Sequence, residues 1–239
     1  MIRSAPLLTV IVPAWNEADN LRRYPHELLP VLDALQTEYE VVVVDDGSTD
    51  DTRRIAEGLG AAVRVLSHEN NRGLGAAIRT GFAAARGELV VTLDADLTFS
   101  PGLIARLLER FQQGDVDVVS GSPKLAGYGA EIFSYRIAIS RLASLVYSTI
   151  LATPVTAVSP IFRLYRRDDV RELDLKSVGF DINAEILFAL LQKGKRIAEI
   201  PAPLTQRIHG QSSLNYRREI IRHLRLTARM AAWRLGLSR

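Results

Sequence analysis

Two acidic residues follow a short apolar run in the first half of the chain. Asp94 and Asp96 come directly after Leu89–Leu93, with the small Ala95 between them. Such a run is typical of a parallel strand that is buried on both faces. Because side chains alternate along a strand, we expect both carboxylates on one side of it. Carboxylate oxygens at this position can bind Mg²⁺ or Mn²⁺ together with the phosphates of a substrate. The alternative to a metal site is that both acids cap the next helix.

The composition is that of an ordinary globular enzyme. The chain has 239 residues, 47% of them hydrophobic and 24% charged, which is enough for one large domain and excludes wholesale disorder. It has no cysteine, which excludes disulfides, thiolate metal sites and cysteine nucleophiles. The stretch 1–8 lacks the apolar core of a signal peptide, which predicts a cytosolic protein. The four histidines show no metal-ligand spacing and are predicted to be incidental.

Charge is concentrated at the end of the chain. The net charge is +3, but from Arg207 to Arg239 eight arginines accompany the single acidic residue Glu219. A basic end of this kind can bind nucleic acid, an anionic membrane or phosphorylated substrates. Nucleic acid is not expected, since no aromatic stacking platform accompanies the arginines. The uncharged run Leu142–Phe162 is long enough to cross a bilayer, but its two prolines and many hydroxyl residues argue against that.

Strand and helix patterns alternate along the first half of the chain, which predicts an α/β domain on a mostly parallel sheet. After residue 120 the alternation breaks down, and a glycine-rich stretch at 121–129 is predicted to act as a lid. The predicted strands are Leu7–Val12, Tyr39–Val44, Ala62–Leu66, Leu89–Leu93, Val116–Ser120, Ile161–Tyr165 and Arg196–Ile200. The predicted helices are Leu28–Leu35, Thr52–Leu59, Ala76–Ala85, Leu103–Gln113, Ile132–Leu151, Asp181–Lys193 and Arg217–Leu235.

Three polar loops follow the first, second and fourth predicted strands. Pro13–Glu17 follows strand one, Asp45–Ser48 follows strand two, and the Asp94/Asp96 pair follows strand four. In parallel sheets, ligands bind beyond the carboxyl ends of the strands. The three loops are therefore predicted to form one site.

Four motifs carry a resemblance to a known family. They are VIVPAWNE at Val10–Glu17, VVDDGSTD at Val43–Asp50, NRGLGAAIRTG at Asn71–Gly81 and VTLDADL at Val91–Leu97. In this order and spacing they resemble the inverting family 2 glycosyltransferases with the GT-A (nucleotide-diphospho-sugar transferase) fold. Within that family the chain is most similar to the dolichol-phosphate (polyprenol-phosphate) mannosyltransferases, over about residues 10–214. Neither a dinucleotide-binding G-x-G-x-x-G turn nor a P-loop is present.

The resemblance implies a domain organisation. Residues 1–239 are expected to form a single GT-A catalytic domain. Within it, 7–120 form the half that binds the nucleotide sugar, 121–215 form the acceptor side, and 216–239 form a basic amphipathic C-terminal helix.

The resemblance also implies the residues of the donor and metal site. Asp94 and Asp96 are expected to bind the metal ion, Mg²⁺ or Mn²⁺, with Asp96 the ligand of the ion that bridges the two phosphates. Arg207, which precedes the family's Gly-x-Ser-Lys stretch, is expected to take part in catalysis, although Ser213 replaces the lysine of that stretch. The residues expected to bind the nucleotide sugar are Pro13, Ala14, Asn16, Glu17, Asp45, Asp46, Arg72, Gly73, Asp94 and Ala95.

The acceptor side departs from the members of the family that extend glycans. A later Glu-Asp base and a Gln-x-x-Arg-Trp motif are both missing from the sequence. A sugar hydroxyl needs such a base, whereas a phosphomonoester, with a second pKa of about 6, is already an anion at neutral pH. Arg136 and Ser140 lie four residues apart on a predicted helix, and the resemblance makes them the acceptor-phosphate residues and catalytic. Lys124 follows Pro123, which stands where the family has an arginine, and is expected to assist them.

Two further features leave alternatives open. Glu185 matches a family glutamate that either contacts substrate or packs. The terminal helix carries one stripe of arginines and one apolar stripe. This is how a helix lies on an anionic bilayer, but an apolar stripe can equally pack on the core beneath a solvated basic face. The arginines are Arg218, Arg222, Arg225 and Arg229, and the apolar residues are Ile220, Leu224, Ala231 and Leu235.

Together these features predict a metal-dependent hexosyltransferase. It is expected to move mannose from GDP-mannose onto a polyprenyl or dolichyl phosphate as a peripheral protein at the cytosolic face of the membrane. Alternatives are UDP-glucose or another nucleotide sugar as donor, a glycan or small-molecule hydroxyl as acceptor, and a non-catalytic nucleotide-sugar-binding protein.

Overall fold

The computed structural model describes residues 8–127, 155–208, 216–235 and 237. In the terminal helix, side chains are described from Glu219 onward. The predicted helix Ile132–Leu151, with Arg136 and Ser140, lies outside the described residues. So does most of the uncharged run that begins at Leu142.

Seven strands form one mixed sheet in the order β3-β2-β1-β4-β6-β5-β7. β6 is antiparallel to its neighbours β4 and β5, whereas the other pairings are parallel. The carboxyl ends of β1, β2, β4, β5 and β7 therefore meet at one edge of the sheet. The strands are β1 Leu8–Ala14, β2 Tyr39–Asp45, β3 Val63–Ser67, β4 Leu89–Thr92, β5 Val118–Ser122, β6 Arg163–Arg166 and β7 Ile197–Pro201.

Helices cover both faces of the sheet, which confirms the predicted α/β architecture. The connection between β1 and β2 holds three short helices: the last, Leu29–Asp33, lies within the predicted helix Leu28–Leu35, whereas the first two were not predicted. The described helices are α1 Ala18–Leu21, α2 Tyr24–Glu27, α3 Leu29–Asp33, α4 Thr52–Glu57, α5 Leu74–Ala84, α6 Leu103–Gln112, α7 Pro123–Ala126, α8 Arg167–Arg171, α9 Ile182–Gln192 and α10 Tyr216–Arg234.

The core has two layers, one on each face of the sheet. Alternate residues of β1 serve different layers, so that Val10 and Val12 belong to one layer and Ile11 to the other. Burial on both faces explains the continuous apolar character of the parallel strands. On the Ile11 side, α5 approaches so closely that a Cβ at Gly81 would overlap the Ile11 side chain. This contact packs the second half of α5 closely against the middle of β1.

The terminal helix α10 meets the core with a different face from the one suggested by its apolar stripe. Leu226 and Met230 are buried against the layer that contains α9. Ile220, Leu224 and Leu235 of the predicted apolar stripe are instead 53%, 63% and 72% exposed. The alternative in which that stripe packs on the core is therefore wrong. No helix in the described ranges is long and apolar enough to cross a membrane.

The arginine stripe of α10 turns partly toward the protein. Arg222 pairs with Glu219 on the same helix, and Arg229 pairs with the buried Glu185 of α9. The Glu185 carboxylate also accepts hydrogen bonds from the backbone N–H groups of Lys176 and Ser177. These contacts describe a packing role for Glu185.

Candidate active site

The carboxylates after β4 are gathered by a turn, not by a continuing strand. β4 ends at Thr92, and the N–H of Leu97 donates to the carbonyl oxygen of Asp94 at 3.2 Å. Leu97 has φ +56°, a left-handed conformation that is uncommon for a leucine. The N–H of Thr98 donates to Asp96 Oδ1 at 3.0 Å. Strand alternation therefore does not explain why the two acids lie together; the tight turn does.

Two residues of the β1–β2 connection hold the backbone of this turn, and sequence analysis identified neither. Arg23 Nη1 donates to the carbonyl oxygen of Asp96 at 3.0 Å, and Tyr24 Oη donates to that of Ala95 at 3.2 Å. Arg23 is itself oriented by Glu27, at 2.7 Å. They carry no motif signal, because they act on backbone atoms of a loop more than 70 residues away.

Three carboxylates crowd one corner of the site. Burial, followed by the charge of Asp96, raises the pKa of the Asp94 carboxyl to about 7. Burial also raises the pKa of the Glu17 carboxyl. Both shifts mean that a negative charge is costly here and that a cation is favoured.

Arg207 supplies a positive charge to this corner from the far end of the chain. Its Nε lies 2.7 Å from Asp96 Oδ2, and its Nη1 lies 3.7 Å from Glu17 Oε1. The segment after β7 is fixed by a bridge between Leu204 and Phe99 and by the N–H of Thr205, which donates to the carbonyl oxygen of Thr98. Arg207 thus belongs to the same cluster as the predicted metal ligands.

The loop after β1 is tied to the loop after β2. Asn16 has φ +55°, its N–H donates to Ser48 Oγ at 2.9 Å, and its Oδ1 accepts from the N–H of Thr49 at 2.8 Å. The N–H of Glu17 donates to Thr52 Oγ1 at 2.8 Å. The Asn16 side chain therefore joins the two loops in this structure.

Asp46 holds the start of α5. Its Oδ1 accepts from the N–H of Arg72 at 3.0 Å and lies 2.6 Å from His68 Nδ1, while its Oδ2 accepts from the N–H of Gly73 at 2.7 Å. His68 Nε2 lies 2.9 Å from Thr80 Oγ1. His68 is therefore a structural link and not an incidental residue. Sequence analysis missed it because it looked for metal-ligand spacing.

A cavity of about 380 Å³ opens between these loops. Its size is in the range of small-molecule sites. The predicted residues that line it are Pro13, Ala14, Glu17, Asp46, Gly73, Asp94, Ala95 and Arg207. Residues that sequence analysis did not assign to it are Trp15, Asn71, Leu74, Ala77, Val178, Gly179, Phe180, Glu219 and Arg222.

The remaining predicted site residues lie elsewhere or outside the description. Asp45 lines a neighbouring cavity and accepts the N–H of Ser48, and the Arg72 side chain is exposed. Lys124 is exposed on α7, directly after the carboxyl end of β5. Arg136 and Ser140 lie outside the described residues.

The Asp94/Asp96 pair fits a cation that completes its coordination with ligand oxygens. Across the described residues, no group of three or more His, Cys, Asp or Glu side chains forms a complete metal cage. Mg²⁺ commonly binds through one or two carboxylates plus substrate phosphates, so a complete cage is not required. The raised pKa of Asp94 means that a nearby positive charge would favour the ionised form of this carboxylate.

Sequence comparison finds relatives over most of the chain. A dolichol-phosphate mannosyltransferase of Pyrococcus furiosus is 34% identical over 235 residues, covering 95% of this chain but only 64% of that protein. An undecaprenyl-phosphate mannosyltransferase of Micrococcus luteus is 32% identical, with 86% of both chains covered. A polyprenol monophosphomannose synthase of Mycolicibacterium smegmatis is 28% identical, covering 90% of this chain and 83% of that protein.

Structure comparison and a family match agree on the fold. Glucosyl-3-phosphoglycerate synthase from Mycobacterium tuberculosis, solved with Mn²⁺, uridine diphosphate and glucosyl-3-phosphoglycerate, superposes with a TM-score of 0.72. The match covers 98% of this chain and 81% of that one at 20% identity, and it supports the predicted GT-A fold. Residues 9–174 match glycosyl transferase family 2. With that match over more than half of its length, the chain belongs to glycosyl transferase family 2.

Proposed function

We propose that this protein is an inverting, metal-dependent glycosyltransferase that moves mannose from GDP-mannose onto a polyprenyl or dolichyl phosphate. The observation that carries the proposal is the Asp94–Asp96 turn, which opens into a cavity between the loops after β1 and β2. The mannosyltransferase relatives, named for dolichol, polyprenol and undecaprenyl phosphates, support the acceptor class and the sugar.

The donor lies in the cavity with its diphosphate toward Asp94 and Asp96. Pro13 and Ala14 line the nucleoside side, opposite Gly73 and Leu74 at the start of α5. A divalent cation at the two carboxylates supplies positive charge to the departing diphosphate. Arg207 already contacts Asp96 and is placed to neutralise the same charge.

The acceptor phosphate needs positioning but no general base. Its oxygen is already anionic at neutral pH and attacks the anomeric carbon on the side opposite the departing diphosphate. Lys124 follows the carboxyl end of β5, at the same edge of the sheet as the carboxylates. With Arg136 and Ser140 it holds the phosphate in place.

The exposed apolar stripe of α10 binds the membrane surface. Ile220, Leu224 and Leu235 lie along one side of the helix, and the exposed Arg225 neighbours them. A helix that combines exposed apolar residues with arginine is suited to the interface of an anionic bilayer. In this proposal the enzyme acts as a peripheral protein at the cytosolic face of the membrane, beside its lipid acceptor.

The test is a transfer assay with radiolabelled GDP-mannose, UDP-glucose and UDP-GlcNAc, a polyprenyl phosphate, and Mg²⁺, Mn²⁺ or EDTA. We expect lipid-extractable label from GDP-mannose that is lost with EDTA. Label from UDP-glucose alone would correct the donor. Nucleotide-sugar binding without lipid-linked label from any donor would overturn the acceptor assignment.

Membrane binding is tested separately by sedimentation with vesicles of phosphatidylglycerol and phosphatidylcholine. Replacing the exposed Leu224 by Glu should lower the bound fraction about tenfold, because a buried leucine contributes about 1.5–3 kcal/mol. Arg53→Glu, on the exposed surface of α4, is the control and should bind as the wild type does. Equal binding of both variants would contradict the assignment of α10.

A further inference from the structure

The terminal helix contributes two charged residues to the wall of the donor cavity. Glu219 and Arg222, one turn apart on α10, line it together with Asp94 and Gly73. No sequence motif points to either residue, and both come from the end of the chain that the arginine pattern associates with the membrane. The helix is therefore part of the cavity as well as a surface element.

The pair is built tightly against the segment that closes the cavity. The buried Glu219 carboxylate accepts the N–H of Phe180 at 2.9 Å and pairs with Arg222 Nη1. Both side chains lie directly over Gly179, where an added Cβ would overlap them. The neighbouring carbonyl oxygen of Val178 accepts the N–H of Gly75 in the first turn of α5, at 3.0 Å. The Glu219–Arg222 pair is thus in contact with the loop that packs on the start of α5.

We propose that Arg222, oriented by Glu219, is a donor-binding residue that donates hydrogen bonds to oxygen atoms of the nucleoside diphosphate sugar. The inference rests on the proposed function, since it assumes that the donor occupies this cavity. Arg207 and Arg222 are the arginines that line the cavity, and Arg207 is engaged by Asp96 and Glu17. Arg222 brings a second guanidinium to the wall of the cavity.

The geometry of Arg222 suits this role better than that of a surface cation. The Arg222 side chain is 26% exposed and that of its partner Glu219 is 9% exposed, so the ion pair is largely shielded from solvent. A guanidinium has five N–H donors in a planar fork, and the ion pair described here uses Nη1. The ion pair with Glu219 therefore involves Nη1, and the guanidinium has further N–H donors on Nε and Nη2.

Arg229 offers a matched control on the same helix. It also pairs with a buried carboxylate, that of Glu185, but it does not line the donor cavity. Removing either arginine deletes one ion pair with a buried glutamate, which lies on α10 itself for Arg222 and on α9 for Arg229. Only the removal of Arg222 takes hydrogen-bond donors away from the bound nucleotide sugar.

The experiment measures GDP-mannose binding by calorimetry with Mn²⁺ and without lipid, for the wild type, Arg222→Ala, Arg222→Lys and Arg229→Ala. Thermal unfolding of each variant is recorded alongside. We expect Arg222→Ala to weaken binding about tenfold to about 100-fold, because a hydrogen bond to a charged group is lost. Arg222→Lys should recover part of the affinity, since it keeps the charge but not the fork. Arg229→Ala should bind as the wild type does.

The outcomes separate this inference from the proposed function. A wild-type protein that binds no nucleotide sugar would refute the proposed function itself. A wild-type protein that binds, with Arg222→Ala binding equally well, would overturn only the role of Arg222. So would equal losses in Arg222→Ala and Arg229→Ala, which would mean that α10 acts on the donor through stability alone.

Discussion

The carboxyl ends of β2 and β4 each carry a pair of nearby aspartates, and one member of each pair, Asp46 or Asp94, lines the cavity in different surroundings. At β2, both oxygens of Asp46 are used by backbone N–H groups and by His68. At β4, Asp94 lines the cavity with a pKa of about 7, raised by burial and by Asp96. The hydrogen-bonded carboxylate of Asp46 organises a loop, whereas the carboxylate of Asp94, whose ionisation is costly, would be stabilised by a positively charged ligand.

The largest effect is expected from removing the carboxylate of the β4 pair that Arg207 contacts. Asp96→Ala should lower the transfer rate about 10³-fold, because it removes a metal ligand and stabilisation of the leaving group. The rate is measured with saturating donor and Mn²⁺, and the far-ultraviolet circular dichroism should be unchanged. Activity within about threefold of the wild type would contradict the ligand role at β4.

At β2 the expected loss is in stability. Asp46→Ala should lower the free energy of unfolding by about 2–4 kcal/mol, since it leaves the N–H groups of Arg72 and Gly73 and the His68 ring without their acceptor. The measurement is urea denaturation. Asp51→Ala is the control, because its pair with Arg54 is exposed to solvent and should contribute little to the free energy of unfolding. Equal losses of unfolding free energy in Asp46→Ala and Asp51→Ala would contradict the structural role assigned to Asp46.

At β4, neutralisation is expected to stabilise the metal-free protein. The folded Asp94 carboxyl, with a pKa of about 7 against its ordinary 3.8, keeps a proton that the unfolded chain releases between these values. Folding therefore loses stability as the pH rises from about 4 to about 7 and stays level above that range. Asn at this position removes the loss, so Asp94→Asn should melt higher than the wild type, by about 2 °C or more at pH 8 in EDTA.

The stabilisation by Asp94→Asn should be smaller at pH 5 than at pH 8, and Mn²⁺ should reverse the order by stabilising the wild type only. Differential scanning calorimetry at the two pH values measures both effects. If the difference in melting temperature between Asp94→Asn and the wild type were the same at both pH values, the Asp94 carboxyl would be ionised at both. The ends of β2 and β4 would then not differ in the energetic cost of a buried negative charge.

The smallest effect is expected at the link behind Asp46. His68→Ala should cost about 1 kcal/mol of unfolding free energy, because it removes the side-chain contact to Asp46 but leaves the backbone donors in place. Urea denaturation beside Asp46→Ala measures it. In the double variant the two losses should not add, since both residues belong to one network. If the losses in unfolding free energy added in the double variant, His68 and Asp46 would act independently, and the proposed link between them would be wrong.

Sequence reasoning succeeded where the signal is local. Runs of β-branched residues predicted the strands to within two residues at most ends, and the motifs predicted which loops lie at the site. It failed where a contact joins distant segments. Arg23 and Tyr24 bind the backbone of a loop more than 70 residues away, and no side-chain pattern reports a backbone partner.

The sequence by itself determined the α/β fold, its family, and the acidic pair at the end of β4, because strand periodicity and motif order depend on neighbouring residues. Only the tertiary structure decided that Arg207 lies on Asp96, 111 residues away. It also decided which face of α10 packs, burying Leu226 and exposing Leu224. The physical reason is that an amphipathic pattern defines the faces of a helix, whereas the surface that each face meets depends on packing between distant parts of the chain.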